Sequence, residues 1–330
     1  MAWMLPALVG LSALGTWLAR AYALRRQLVD QPGERRSHSV ATPRGGGIAI
    51  VVVVLLAAGG VAASGGSDPA SVGLLAAFAG GLAMVALAGL VDDHRPLSPW
   101  LRLGVHALAA GWFAIVLWLE GAAPAAAVTT FLAIVVLVNV WNFMDGIDGI
   151  AATQAVLVGA GLAVGLDGAW SLLAAALTAA ALGFLPYNLP RARIFMGDVG
   201  SGAIGFALAA LGGVFTAGAG PRGGLLLLVP LSAFLVDAGL TLLRRVVRGE
   251  RWWTPHVQHA YQGWARRVGH VRVTAAYAGW TAAGLLLAFA CRDVDLVFIL
   301  LGGLGWYTSA AVAWWWLQRR DRSRGEPKTE

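Results

Sequence analysis

Residues 124–149 read PAAAVTTFLAIVVLVNVWNFMDGIDG. The first part, 124–141, is a run of apolar residues about long enough to cross a bilayer as a helix. It ends in polar residues spaced by three: Asn139, Asn142, Asp145 and Asp148. On an ideal helix each step of three turns the side chain by about −60°, so the first three share a flank and Asp148 drifts away. Gly146 and Gly149 allow the backbone to break there and bring Asp148 back. Asn139 and Asn142 lie within apolar sequence, where an unpaired amide is costly. A hydrogen-bond ladder between helices accounts for them equally well. The Asp-Gly-x-Asp-Gly end is harder to explain that way. Two acids at a helix C-terminus oppose the macrodipole and call for a cation.

The rest of the chain has the same character. Of 330 residues, 58% are hydrophobic and 12% charged, and the mean hydropathy is +0.71. A soluble domain carries about a quarter charged residues. The predicted fold is therefore all-α, a polytopic membrane bundle forming one transmembrane domain over 1–330, with a polar tail over 318–330. About eleven apolar runs read as spans: 3–24, 46–63, 71–91, 101–119, 124–141, 150–166, 169–186, 202–218, 224–243, 273–290 and 294–316. The first run has no basic residues before it, which favours a retained span with its N-terminus outside over a cleaved signal. The inside loops are then 25–45, 92–100, 142–149, 187–201 and 244–272, with the tail inside. Of the 24 Lys and Arg residues, only Arg222 and Arg292 fall in outside loops, as the positive-inside rule requires. The net charge of +7 is thus a signal of topology and of contact with anionic headgroups. No nucleic-acid-binding motif accompanies it. The single cysteine, Cys291, excludes an intrachain disulfide.

Hydropathy and basic residues alone set this topology, yet it gathers every acidic and imidazole signature on the inside face. Asp92-Asp93 ends an outward-to-inward helix, where two carboxylates repel each other and need Arg95, Arg102 or a divalent ion beside them. A solvated turn is the bland alternative. Asp198, in Phe195-Met196-Gly197-Asp198-x-Gly200-Ser201, precedes a helix that runs outward. It reads either as an N-cap or as a hard oxygen ligand for Mg²⁺ beside substrate phosphates. His256 and His259 lie in the largest inside loop among Arg244, Arg245, Arg248, Arg251, Arg266 and Arg267, a mixture suited to phosphate or nucleotide recognition. Zinc would need a further ligand that the segment lacks. The alternative is a surface segment anchored by Trp252, Trp253 and Trp264. The first loop carries His38, Arg44 and the triplet Gly45–Gly47, which opens the next helix where an anion could bind. Asp237, inside an apolar run, is a second-tier candidate together with His38.

Taken together, the Arg-Ser…Pro-Arg-Gly-Gly-Gly loop, the Asp pair, the Asn/Asp-Gly-x-Asp-Gly ladder, Tyr187-Asn188 and Phe-Met-Gly-Asp-x-Gly-Ser resemble the polyprenyl-phosphate N-acetylhexosamine-1-phosphate transferases, over about Asp30 to Gln262. That family includes the enzyme of the first peptidoglycan lipid intermediate and those that start O-antigen, enterobacterial common antigen and teichoic acid. This chain looks most like the Gram-negative O-antigen initiators.

The resemblance implies a bacterial inner-membrane enzyme with its active site on the cytoplasmic face. It would transfer an N-acetylaminosugar 1-phosphate from a UDP-sugar (GlcNAc, FucNAc or QuiNAc type) to undecaprenyl phosphate, releasing UMP. The implied cofactor is Mg²⁺, with Mn²⁺ as an alternative. Asp198 with Asn142 would hold the metal, and Asp92, Asp93, Asp145 and Asp148 would be catalytic. Arg44, Arg102, Asn139, Asn188, His256 and His259 would bind substrate. The partners are the lipid acceptor, the nucleotide sugar and the bilayer, with a second copy of the chain as a further candidate.

The segment His-x-x-His-x-Tyr-Gln departs from the triple histidine of the peptidoglycan enzyme, and His94-Arg95-Pro96 follows the Asp pair where that enzyme has a lysine nearby. Both speak against a muramoyl-pentapeptide donor. A transporter is the rival class, but its ionisable groups would sit near the midplane in repeated halves. A catalytically dead scaffold would not keep the full acidic set.

Overall fold

The computed structural model describes residues 4–30, 41–64, 69–251, 253–254 and 256–322. Among them the helices are α1 (Met4–Arg25), α2 (Ile48–Ala63), α3 (Pro69–His94), α4 (Pro99–Leu119), α5 (Pro124–Met144), α6 (Ile150–Gly165), α7 (Gly168–Asn188), α8 (Asp198–Val247), α9 (Ala260–Val268), α10 (His270–Ala290) and α11 (Leu296–Arg322). Their starts follow local chemistry. Proline occupies the first turn of α4 and α5, where its missing N–H costs nothing, and Ser98 caps α4 by accepting the Leu101 N–H at 3.1 Å.

Among the described residues eight helices are long and apolar enough to cross a membrane, so the chain is a multi-pass helical membrane protein. The expected count of about eleven spans is not reproduced as such. Helices α2 and α6 have 16 residues each, about 24 Å, short of the hydrocarbon thickness. The expected spans 202–218 and 224–243 are continuous in the 50-residue α8, whose one non-helical residue is Gly220, just before Pro221. Two features had no counterpart in the sequence reading. The short helix α9 lies inside the 244–272 loop. A two-residue antiparallel ribbon, β1 (Val29–Asp30) with β2 (Thr42–Pro43), is a small exception to the all-α expectation.

Helix α5 lies against α8 at the centre of the bundle. A Cβ on Gly205 of α8 would run into the Leu137 carbonyl and Val138 Cα, so its hydrogen is what lets the two backbones approach. Trp141, fully buried, packs on Phe234 with ring centroids 5.0 Å apart. The outer helices are apolar on their exposed faces: Leu301 and Leu304 of α11 and Leu14 and Leu18 of α1 are all more than half exposed. That surface suits contact with lipid and would be a liability in water. The bundle brings the ends of α3, α5 and α7 and the beginnings of α2 and α8 to one place.

Candidate active site

The site forms where α3 meets α8. Asp93 is 5% exposed, and its carboxylate accepts the backbone N–H groups of Asp198 (3.1 Å) and Val199 (3.2 Å). Those are two of the orphan donors that begin any helix, and a negative charge is favourable at that end. Of the two readings of Asp198, the N-cap is the one that the structure corrects. Gly197 (φ 76°) holds the cap position without a side-chain bond, Asp198 is already helical, and the capping carboxylate comes from another helix.

Asp198 is thereby free to face Arg102, whose guanidinium lies 2.9 Å from both the Asp198 and the Asp92 carboxylates and 3.1 Å from the Asn142 amide oxygen. The cation beside Asp92 is thus Arg102 of α4, Arg44 lies beside Asp93, and Arg95 stays exposed. Asp92 also accepts the Leu97 N–H at 2.6 Å, and the Asn142 amide donates to Ser201 Oγ at 3.2 Å.

After Met144 the helix breaks and Asp145 turns into the cleft. Burial pushes its carboxyl up to about 8, helped by the negative charges of Asp198, Asp93 and Asp148. Asp148 does not return to that cleft. It faces α10, with its carboxylate 3.3 Å from His270 Nδ1 and its carbonyl accepting Thr274 at 2.8 Å. Two expected substrate contacts are otherwise engaged. Asn139 donates to the Val135 carbonyl of its own helix, away from the cleft. Asn188 is a buried staple: it accepts the Gly149 N–H at 2.8 Å and donates to the Ile194 carbonyl at 3.0 Å, although one edge of it lines the cleft.

The first loop closes the opposite wall. The Gly46 and Gly47 N–H groups donate to the Phe195 and Met196 carbonyls at 2.9 and 2.8 Å, and Phe195 N–H returns a bond to Pro43. The triplet therefore sews this loop to the Phe-Met-Gly-Asp loop, and those two amides are not available to an anion. A Cβ on Gly47 would collide with the Gly200 backbone. Arg44 donates to the Asp93 carbonyl and lines the cleft, as does Asp30 from β1. His38 lies outside the described residues.

The histidine segment is held from beneath. Buried Asp237 accepts the Ala260 and Tyr261 N–H groups at 2.9 and 3.0 Å and the Tyr277 hydroxyl at 2.7 Å, which caps α9. His259 is 3% exposed, 3.7 Å from Asp237 and stacked between Phe143 and Tyr261, so it supports the segment and does not face the cleft. His256 packs on His259 outside the cleft. Burial first, then the nearby charges of His259 and Arg245, lowers its imidazole to about 4. Tyr261 reaches the Phe143 carbonyl at 3.0 Å and so fastens α9 to the end of α5. From this segment it is Gln262 that lines the cleft.

The cleft encloses about 260 Å³. Of the expected residues it joins Asp93, Asp145, Asp198, Asn142, Arg44 and Asn188, with Asp92 and Arg102 directly behind. It adds Asp30, Ser201 and Gln262, of which only the latter two stood in recognisable motifs. Its donors are oxygens, the set that suits a hard divalent cation. Among the described residues no three acidic, histidine or cysteine side chains form a ready metal cage.

Residues 75–215, which hold Asp92, Asp93, Asp145 and Asp198, match the family model described as Glycosyl transferase family 4. The chain is 30% identical over 352 aligned positions to a decaprenyl-phosphate N-acetylglucosaminephosphotransferase of Mycobacterium tuberculosis, covering 90% of this chain and 86% of that protein. The chain belongs to the polyprenyl-phosphate N-acetylhexosamine-1-phosphate transferase family. An undecaprenyl-phosphate alpha-N-acetylglucosaminyl 1-phosphate transferase of Thermotoga maritima is 27% identical, over 87% of this chain and 85% of its own. A phospho-N-acetylmuramoyl-pentapeptide-transferase of Synechococcus is 37% identical, but over only 39% of this chain and 44% of its own. The Mycobacterium and Thermotoga relatives, each matched over most of its length, both carry N-acetylglucosamine in their names.

Proposed function

We propose that the protein transfers an N-acetylaminosugar 1-phosphate from a UDP-sugar to undecaprenyl phosphate on the cytoplasmic face of a bacterial inner membrane. UDP-N-acetylglucosamine is the first donor to test, because the relatives matched over most of their length are named for that sugar. Initiation of O-antigen or a related envelope polysaccharide is the physiological reading. The observation that carries the proposal is the convergence of Asp93, Asp145, Asp198 and Asn142 with Arg44 in one cleft at the end of a membrane bundle.

In the reaction an oxygen of the lipid phosphate attacks the sugar-bearing β-phosphorus of the UDP-sugar. A new P–O bond forms, the bond from that phosphorus to the bridging oxygen breaks, and UMP leaves with the electron pair. A phosphomonoester has a second pKa of about 6, so the attacking group is largely ionised at neutral pH and needs little help from a base. Alignment and charge neutralisation are then the main demands. Arg44 supplies fixed positive charge at the mouth. Asp93 holds the start of α8 so that Asp198 is set in place, and Arg102 bridges Asp198 and Asp92, whose side chains also hydrogen-bond each other. Asp198 and Asn142, with Asp145 beside them, are the residues that would hold Mg²⁺. When bound, that ion neutralises charge on the diphosphate.

The test is UMP release by purified protein from a panel of UDP-N-acetylaminosugars, with and without undecaprenyl phosphate and Mg²⁺, beside Asp198→Asn. Release that needs both additions and the intact aspartate is expected. No release with any donor from folded protein would overturn the proposal.

A further inference from the structure

Helix α4 carries a histidine one turn beyond Arg102. His106 is 5% exposed, and its Nδ1 is enclosed with no hydrogen-bond partner among the described residues. Positions four apart share one face of a helix, so the imidazole stands next to the guanidinium. Apolar packing does not account for it. An enclosed ring nitrogen without a partner loses its hydration and gains nothing in return. A leucine would fill the same place without that loss.

His106 lines a void of about 10 Å³, close to the space that one water molecule needs. Arg102, Asn142 and Asp198 supply the other polar groups of its wall. Gly89 and Gly202 complete it with small residues, and a Cβ on Gly89 would run into the Asp198 carbonyl. Among the described residues, Asn142 and Asp198 are the two that line both this void and the catalytic cleft. The void therefore lies behind those two side chains, and His106 does not line the cleft.

We propose that His106 is a positioning residue for the transfer, acting through one water held in this void. The inference rests on the transferase reading and adds a residue to it. A water can donate to an imidazole nitrogen or accept from it, so it suits Nδ1 in either tautomer. The Arg102 guanidinium has five N–H donors for its three partners Asp92, Asp198 and Asn142, which leaves a donor for the water. Tied from behind in this way, the guanidinium keeps its plane, and Asp198 and Asn142 keep their directions into the cleft. His106 touches neither substrate, so its effect falls on alignment and leaves binding unchanged.

The experiment compares His106→Leu, which fills the site without a polar atom, with His106→Gln, whose carboxamide both donates and accepts. Both are full-length proteins in nanodiscs, assayed for UMP release. His106→Leu should lower kcat at least about tenfold, with KM for the UDP-sugar and for undecaprenyl phosphate each within about twofold of the unaltered protein. His106→Gln should keep kcat within about threefold, because its amide can meet the same water. Full kcat in the leucine variant, even with a lowered thermal midpoint, would make His106 a packing residue and overturn the assignment. A glutamine variant as slow as the leucine variant would also overturn it. A crystal structure of the unaltered protein that resolves ordered water is a check that depends on no variant. A water within about 3.2 Å of both His106 Nδ1 and the Arg102 guanidinium is expected. A well-ordered void without one sinks the water bridge. Absence of UMP release by the unaltered protein sinks the transferase reading instead.

Discussion

Arg102 is the single side chain on which most of the cleft's charge arrangement depends, because it touches Asp92, Asp198 and Asn142 at once. Arg102→Ala leaves two facing carboxylates without their cation, and a loss of activity on the order of 100-fold is expected. Arg102→Lys keeps the charge but not the planar fork, so it should restore only part of that loss. Kinetics of UMP release on both variants provide the check. Equal activity of Arg102→Ala and the unaltered protein would refute the arrangement.

Asp145 makes a prediction about pH. An aspartate in the unfolded chain ionises near 3.8, while in the folded, metal-free protein this one does so at about 8. Between those values the folded state binds more protons, so stability falls as pH rises through the window. The thermal midpoint of metal-free protein should therefore drop between pH 6 and pH 9, and Asp145→Asn should flatten that slope. If Mg²⁺ takes the proposed place, it raises the midpoint more at pH 8 than at pH 6. Identical slopes in the variant and the unaltered protein would remove Asp145 as the cause. His256 acts in the opposite range. Its imidazole is lowered to about 4, so it costs stability only as pH falls below about 6.5.

At the scale of elements, two carboxylates act as caps for helices that are not their own. Asp93 caps α8 and Asp237 caps α9. Asp237→Ala strands two buried N–H groups and the Tyr277 hydroxyl, at about 1–3 kcal/mol for each unsatisfied group. A clearly lowered thermal midpoint is expected, with Asp237→Asn less affected because it still accepts hydrogen bonds. Gly47→Ala is a second element-scale test. The added methyl meets Gly200 backbone, so the first loop must part from the start of α8, and overpacking of this kind costs about 1–3 kcal/mol. Lost activity with an unchanged midpoint would show that the contact matters only to the cleft.

These caps also show why part of the site was not legible in the sequence. Asp198 sits at a helix start and reads as a cap, yet the cap comes from Asp93, 105 residues earlier. His259 stands in a basic loop and reads as a phosphate contact, yet its ring is stacked beneath the cleft. Asn188, the last residue of α7, is a substrate ligand by the family resemblance, yet both ends of its amide hold backbone. Motif and spacing mark which residues are polar against an apolar background. Which way each one faces depends on neighbours that are distant in the chain.

For the whole molecule the open matter is orientation. The arginine distribution predicts that the end carrying the cleft faces the cytoplasm and that Cys291, between α10 and α11, faces outward. Cys291 is the only cysteine and is partly exposed. A membrane-impermeant maleimide should therefore label it in spheroplasts. In a Cys291→Ser background, Gly249→Cys should be labelled only in inverted vesicles. The reverse pattern would turn the protein over and place the cleft outside.

The membrane class, the course of the apolar runs and the identity of the acidic cluster were determined by the sequence itself. Long apolar stretches have few stable conformations in lipid other than helices, and carboxylates against that background stand out without any structure. Tertiary packing alone decided which of those carboxylates meet. It turned Asp145 into the cleft and Asp148 toward α10 from a single five-residue turn, and set Arg102 against two acids ten and ninety-six positions away. The physical reason is that these are contacts between helix ends. The approach of one helix to another is set by small residues such as Gly47, Gly200 and Gly205, which reveal in the sequence that something comes close but not what it is.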